Sequence, residues 1–231
     1  MKTIAETDGD FIFDFQPPCF QLLSAEEAEL IRSCKTQVLF HKGENLTKQG
    51  AFASYVLFVI NGFAKQYVEG NSKYNQNLRI IKPGEFVGLS SVFGENRFDY
   101  SAVAITETQV YLIEKDALIN VSKQNGLFSF NMMRRYVEEN SSLFETIRVL
   151  TFKQMNGRMA DTLLYLTSEQ FNGNDITSLL TRKEIAEFSG LSTESAVKIL
   201  KNLEKEGLIA LSEKNIGVLN RPKLEEISRI G

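Results

Sequence analysis

The order of signals between Thr181 and Leu211 constrains this 231-residue chain more than any other stretch. Thr181 stands three residues before Glu184, the spacing at which a hydroxyl and a carboxylate satisfy each other's backbone N–H groups at a helix start. A short helix is therefore predicted from Arg182, with Ile185, Ala186 and Phe188 turned toward a core. Gly190 supplies the permissive backbone of a tight inter-helix turn, and Ser192 can cap a second helix. On that second helix Ala196, Ile199, Leu200 and Leu203 fall on one face, and Thr193, Glu194, Val197, Lys198 and Lys201 on the other. A wing follows, so the segment reads as a helix-turn-helix with a wing.

In such a motif the second helix enters the major groove with its N-terminal residues at the base edges. Thr193, Glu194 and Lys198 are placed to read sequence, with Lys201 farther along toward phosphate. Thr181, Arg182 and Ser192 complete the expected DNA-facing set. A glutamate repels the phosphate backbone but fits a surface that accepts from cytosine N4, and Lys198 can donate to guanine O6 or N7. The bland alternative is an amphipathic surface helix whose polar residues are merely solvated. Capping box, turn glycine, second helix and wing in sequence favour the DNA reading.

This stretch resembles the C-terminal DNA-binding domain of the cyclic-AMP receptor protein/FNR superfamily of bacterial transcription regulators. Gly157-Arg158-Met159-Ala160-Asp161-Thr162-Leu163-Leu164-Tyr165-Leu166 resembles the first helix of that domain, and Phe130 to Phe152 the long helix on which such proteins dimerise. The resemblance implies an α+β chain. A cyclic-nucleotide-binding-like sensor domain, an antiparallel β-roll of jelly-roll type, is expected over 1–125. A long dimerisation helix and hinge follow over 126–152, and a Crp-type winged helix-turn-helix over 153–231.

The net charge of -3 would ordinarily argue against a nucleic-acid partner. Only the surface facing DNA has to be basic, however, and Arg182, Lys183, Lys198, Lys201 and Lys214 concentrate in or beside the motif. No apolar run approaches membrane-spanning length, and acids in Met1–Phe15 stand where a signal peptide needs basic and apolar residues. A cytoplasmic protein without membrane attachment is expected.

The first half reads as short strands separated by turns: Val38–Phe40, Tyr55–Ile60, Phe63–Val68, Leu78–Ile81, Val103–Ile105 and Gln109–Ile113. Asn61-Gly62 is the strongest hairpin signal, predicting a type I′ turn. Lys42-Gly43-Glu44, Glu69-Gly70-Asn71 and Pro83-Gly84 mark further turns. A helix is expected over Ala25–Lys35. There is no phosphate-cradling glycine loop and no zinc-ligand spacing. With His41 the only histidine, triad hydrolysis and histidine-based zinc catalysis are poorly supplied, so no enzyme is expected.

The resemblance implies an effector pocket bracketed by Pro83-Gly84-Glu85-Phe86-Val87-Gly88-Leu89-Ser90 and Tyr100-Ser101-Ala102-Val103. Its candidate residues are Gly84, Glu85, Val87, Gly88, Leu89, Tyr100 and Ser101, joined by Leu143 and Phe144 of the long helix. Cyclic-AMP-binding members carry a ribose-binding glutamate at the position of Leu89 and a phosphate-binding arginine at that of Tyr100. Their adenine-contacting hydroxyl pair falls where this chain has Leu143 and Phe144. Losing the arginine removes the charge-assisted contact a buried anion needs, so cyclic AMP is not expected. The pocket can hold an apolar ligand or be filled core. Arg79 and Arg97 are near enough in sequence to meet an anion, or are solvated.

The FNR branch holds an iron-sulfur cluster with four cysteines, and Cys19 and Cys34 are too few for one. Some members bind haem, for which His41, Met132 and Met133 are the candidate axial ligands, against the plainer reading of surface histidine and core methionines. Phe130, Met133, Val137, Phe144, Ile147 and Leu150 recur at helical spacings along the long helix. Two copies can bury that stripe as a parallel coiled coil, and packing against the strands is the alternative. A homodimer on a palindromic operator in double-stranded DNA, with RNA polymerase as a further partner, is what the family implies. A ligand-binding module whose winged helix contacts protein is the other reading carried forward.

Overall fold

The computed structural model describes residues 1–5, 8–9, 11, 18–70 and 74–231. Asn71, and much of the acid-bearing stretch before Phe15, lie outside the described residues. The chain divides into two compact units, Met1–Glu69 with Arg79–Ser141, and Gly70–Leu78 with Ser142–Gly231.

The first unit is built on two antiparallel sheets. One has the order β1-β2-β9-β4-β7, from β1 (Lys2–Thr3), β2 (Lys35–Phe40), β4 (Tyr55–Asn61), β7 (Phe86–Val87) and β9 (Thr108–Glu114). The other has the order β3-β8-β5-β6, from β3 (Asn45–Thr47), β5 (Ala64–Glu69), β6 (Asn75–Ile81) and β8 (Ser101–Ala104). Helices α1 (Ala25–Ser33), α2 (Ser90–Phe93) and α3 (Lys115–Gln124) complete it, with the first half of α4 (Gly126–Phe152).

Alternation along β4 shows why the sheets stack as they do. Successive strand residues point to opposite faces. Val56, Phe58 and Ile60 join Ile31, Leu118, Phe128 and Met132 of the helices in one core cluster. Leu57 and Val59 join Ala64, Ala102 and Ala104 of the second sheet in another. The first sheet thus has a helical layer on one side and the second sheet on the other. Each such side chain, fully buried, contributes about 1.5–3 kcal/mol.

The expected strands are present, four of them longer than expected, while Phe63–Val68 shifts to Ala64–Glu69 and Val103–Ile105 to Ser101–Ala104, and β1, β3 and β7 are additional. The helix expected over Ala25–Lys35 ends at Ser33, because β2 already begins at Lys35. Asn61-Gly62 is not a type I′ hairpin. β4 and β5 belong to different sheets, and Gly62 has φ 82° while Asn61 is not among the positive-φ residues. The pair is instead a corner between sheets. Asn61 Oδ1 accepts the Gly62 N–H at 2.8 Å, and a Cβ at Gly62 would collide with the Glu107 carbonyl, so only glycine fits.

The second unit carries α5 (Met155–Leu166), α6 (Ile176–Leu179), α7 (Arg182–Phe188), α8 (Thr193–Lys205), the β10–β11 hairpin (Ile209–Leu211 with Ile216–Val218) and α9 (Arg221–Ile230). Its core gathers Met159, Leu163 and Leu166 of α5, Ile185 of α7, Leu200 and Leu203 of α8 and Leu224 of α9. Residues 70–78 count with this unit because Asn77 Nδ2 donates to the Glu184 carbonyl at 2.9 Å and to Glu187 Oε2 at 3.3 Å.

Candidate nucleic-acid interface and sensor pocket

Thr181 and Glu184 form the capping box that their spacing predicts. The Thr181 Oγ1 accepts the Glu184 N–H at 3.2 Å, and Glu184 Oε2 accepts the Thr181 N–H at 2.8 Å. After α7, Gly190 turns the chain at φ 60°, where a Cβ would lie 2.6 Å from Leu150 Cδ2. Ser192 Oγ accepts the Ser195 N–H at 3.1 Å and starts α8. Ala196, Ile199, Leu200 and Leu203 are buried. Thr193, Glu194, Lys198 and Lys201 are exposed together on the opposite side. No ion pair found among the described residues engages Lys198 or Lys201, so both ammonium groups face solvent.

Arg182 sits differently. It is half-buried and its Nη2 donates to the Ser212 carbonyl at 3.1 Å, tying the start of α7 to the tip of the β10–β11 wing. Glu204 Oε1 accepts the Leu211 N–H at 3.0 Å and fixes the other side of the wing to α8. Helix, turn, helix and wing are thereby one braced surface.

The sensor pocket positions are closed. Leu89 has no exposed surface and packs in the cluster of Phe58, Phe86 and Phe128. The Tyr100 ring lies in the second cluster, and its hydroxyl oxygen accepts the Gly88 N–H at 2.8 Å. Burial pushes the Tyr100 phenol above its ordinary range, so it stays neutral. Val87 and Gly88 are buried beside it, and Gly84 is half-buried. Leu143 is half-buried and Phe144 is 73% exposed.

The polar groups of this region are given to the chain's own carboxylates. Ser101 Oγ donates to Glu69 Oε1 at 2.6 Å, and Lys48 Nζ lies 2.6 Å from the same oxygen. Those two hydrogen bonds, Lys48 first, hold the Glu69 carboxyl below the usual carboxylate range. Arg79, only 12% exposed at its side chain, donates Nε to Gln66 Oε1 at 2.8 Å and Nη1 to Glu85, with Nη2 3.3 Å from Glu139 Oε1. Arg97 is exposed. Glu69 and Glu139 were not marked by the sequence reading. Phe128, Met132, Arg135 and Glu139 recur at four-, three- and four-residue spacings, and that inward face of α4 was the available signal.

The candidate haem ligands do not share a site. His41 is exposed, its Nδ1 3.3 Å from Glu107 Oε1, whereas Met132 is sealed in the cluster with Cys19 and Phe128, and Met133 is exposed. These residues do not fit the group. Among the described residues no cluster of three or more His, Cys, Asp or Glu suited to a metal ion occurs, and no helix is long and apolar enough to cross a membrane.

A family model described as a cyclic nucleotide-binding domain matches residues 37–125, and one described as a Crp-like helix-turn-helix domain matches residues 157–227. The chain is 24% identical to the cyclic AMP receptor protein of Thermus thermophilus over 91% of this chain and 96% of that one. It is 26% identical to the anaerobic regulatory protein of Bacillus subtilis over 89% of each. The fold matches FixK2 of Bradyrhizobium japonicum with a TM-score of 0.74 at 21% identity, over 84% of this chain and 96% of that one. It matches the c-di-GMP-responsive global regulator CLP of Xanthomonas campestris equally, with a TM-score of 0.74 at 20% identity over 84% and 99%. With a sensor-domain match followed by a Crp-like helix-turn-helix, and regulators of this type aligned along nine-tenths of its length, the chain belongs to the Crp/Fnr family of transcriptional regulators.

Proposed function

We propose that the chain works in the cytoplasm as a homodimer on a palindromic operator in double-stranded DNA, without catalytic activity. Thr193, Glu194 and Lys198 read base edges, and Lys201, Thr181 and Ser192 meet the backbone. Arg182 serves mainly by holding the wing. The observation that carries this reading is the exposed polar face of α8, whose two lysines have no carboxylate partner among the described residues, presented by a capped and braced helix-turn-helix. RNA polymerase is the further partner the family suggests.

The dimer is proposed from α4. Phe130, Met133, Val137, Phe144 and Ile147 are each more than half exposed along one helix. A run of that size is covered by a second copy packing α4 against α4. The effector is proposed to be something other than cyclic AMP, or absent. Leu89 and Tyr100 fill the pocket, and Arg79 and Ser101 are already engaged by Glu85, Glu139 and Glu69.

Operator selection from random double-stranded DNA tests the reading. Enrichment of a two-fold symmetric sequence is expected. E194A and K198A are each expected to weaken binding to it by about 1–3 kcal/mol and to relax base preference at one position per half-site. No enrichment would favour the alternative in which the winged helix contacts protein, and unchanged preference in both variants would defeat the docking assignment.

A further inference from the structure

The proposed docking of α8 uses four exposed polar side chains, Thr193, Glu194, Lys198 and Lys201, and leaves the apolar residue among them idle. Val197 follows Glu194 by three residues, adjoins Lys198 and lies one turn from both Thr193 and Lys201, so it shares their side of the helix. It is half-buried, and the face that packs is complete without it, since Ala196, Ile199, Leu200 and Leu203 are each 7% exposed or less. Valine is a poor choice for a merely solvated helix flank. Alanine, lysine or glutamate favours the helix more, because branching at Cβ restricts χ1. The same stiffness holds both methyl groups of Val197 in one place, which suits a contact.

We propose that Val197 reads thymine, setting its methyl groups against the thymine C5-methyl in the major groove beside the base pairs met by Glu194 and Lys198. The inference rests on the docking of α8 proposed above. Of the four bases only thymine offers an apolar group on its major-groove edge, whereas guanine presents two acceptors and adenine and cytosine present amino donors. A valine pressed on one of those polar edges strips water from it and returns no hydrogen bond. Val197 therefore rejects the other bases as well as favouring thymine. Glu194, Lys198 and Val197 then read three different features of a half-site, namely a donor, an acceptor pair and a methyl group. One methyl group moved from water into contact with the valine is worth about fourfold in affinity.

The test uses the full chain and the operator that selection enriches, with each thymine replaced in turn by deoxyuridine in both half-sites. Deoxyuridine keeps every hydrogen-bonding group of thymine and lacks only the methyl. For the wild type, the dissociation constant measured by fluorescence anisotropy is expected to rise about fourfold per half-site at one thymine position. At that position the effect is expected to shrink in V197A and to disappear in V197G, which keeps no side chain. Comparing two DNAs within one variant cancels any loss of helix stability. An enriched operator whose affinity ignores every thymine methyl, or a methyl effect that keeps its full size in V197G, would overturn the assignment and leave the docking of α8 standing. Selection that enriches no operator removes the docking and this assignment together.

Discussion

Replacing Asp161 by asparagine should loosen the C-terminal helix of the DNA-binding unit, and the size of the effect follows from three contacts. Lys153 Nζ lies 2.6 Å from Asp161 Oδ2 and donates to Ser228 Oγ at 3.1 Å, and Ser228 Oγ donates to Asp161 Oδ1 at 2.6 Å. The triangle joins the end of α4, α5 and α9. Asparagine keeps the shape but turns an amide donor or a neutral carbonyl toward an ammonium that is only 14% exposed. Hydrogen bonds to charged groups contribute about 1.5–3 kcal/mol, and breaking a fully buried ion pair costs about 3–5 kcal/mol. Because Asp161 retains 26% of its side-chain exposure, the lower range applies, and about 2 kcal/mol is expected. Native-state hydrogen exchange reads this directly as amides of α9 exchanging about 30-fold faster, since about 1.4 kcal/mol is tenfold. Adding K153M removes the stranded ammonium and should restore at least half of the loss. Exchange in α9 changed less than about threefold by D161N would refute the reasoning, as would a double variant as loose as the sum of the singles.

Other substitutions probe other layers. T181A removes one half of an exposed capping box and should lower the stability of the second unit by about 1 kcal/mol, read by urea unfolding at unchanged m. L200A opens a cavity at a side chain with 1% exposure and should cost about 2–5 kcal/mol in the same assay. V137E places a charge in the middle of the exposed apolar stripe of α4, and sedimentation velocity should show a shift toward monomer with an unchanged circular dichroism spectrum. A V137E dimer as stable as the parent would remove α4 from the interface.

The helix-turn-helix was readable in the sequence because its signals are local. Capping box, turn glycine and N-cap serine act over three or four residues, and Thr181, Gly190 and Ser192 occupy the roles their spacing assigns. The corner at Asn61-Gly62 was not readable for the converse reason. The dipeptide suits a hairpin, but whether β5 pairs with β4 depends on the remote competitor β9, which takes β4 as its partner. The two-residue strand β7 carries no periodicity at all, and only its pairing with β4, Leu57 with Val87 and Phe58 with Phe86, defines it. In the sensor region Leu89 and Tyr100 were legible as departures that fill a pocket. The carboxylates that engage Arg79 and Ser101 were not, because Glu139 lies 60 residues after Arg79 and Glu69 lies 32 before Ser101.

That placement changes what an effector of this region has to do. In a site whose guanidinium is unpaired, an entering anion gains a charge-assisted contact and strands nothing. Here an anion reaching Arg79 has to displace Glu85 or Glu139, and the displaced carboxylate is left among Leu89, Phe86 and the Tyr100 ring with, for Glu139, only the weaker attraction of Arg135. An uncompensated buried charge costs several kcal/mol, more than a charge-assisted hydrogen bond returns. The displaced group escapes that cost only by moving to solvent or by taking a proton. Glu139, which burial already pushes up to about 7, is the carboxyl for which the proton is near at hand. An anion that takes over the Arg79 guanidinium while Glu139 stays in place removes the attraction that lowers the carboxyl, so it raises Glu139's affinity for a proton, and a lower pH should strengthen binding of that anion.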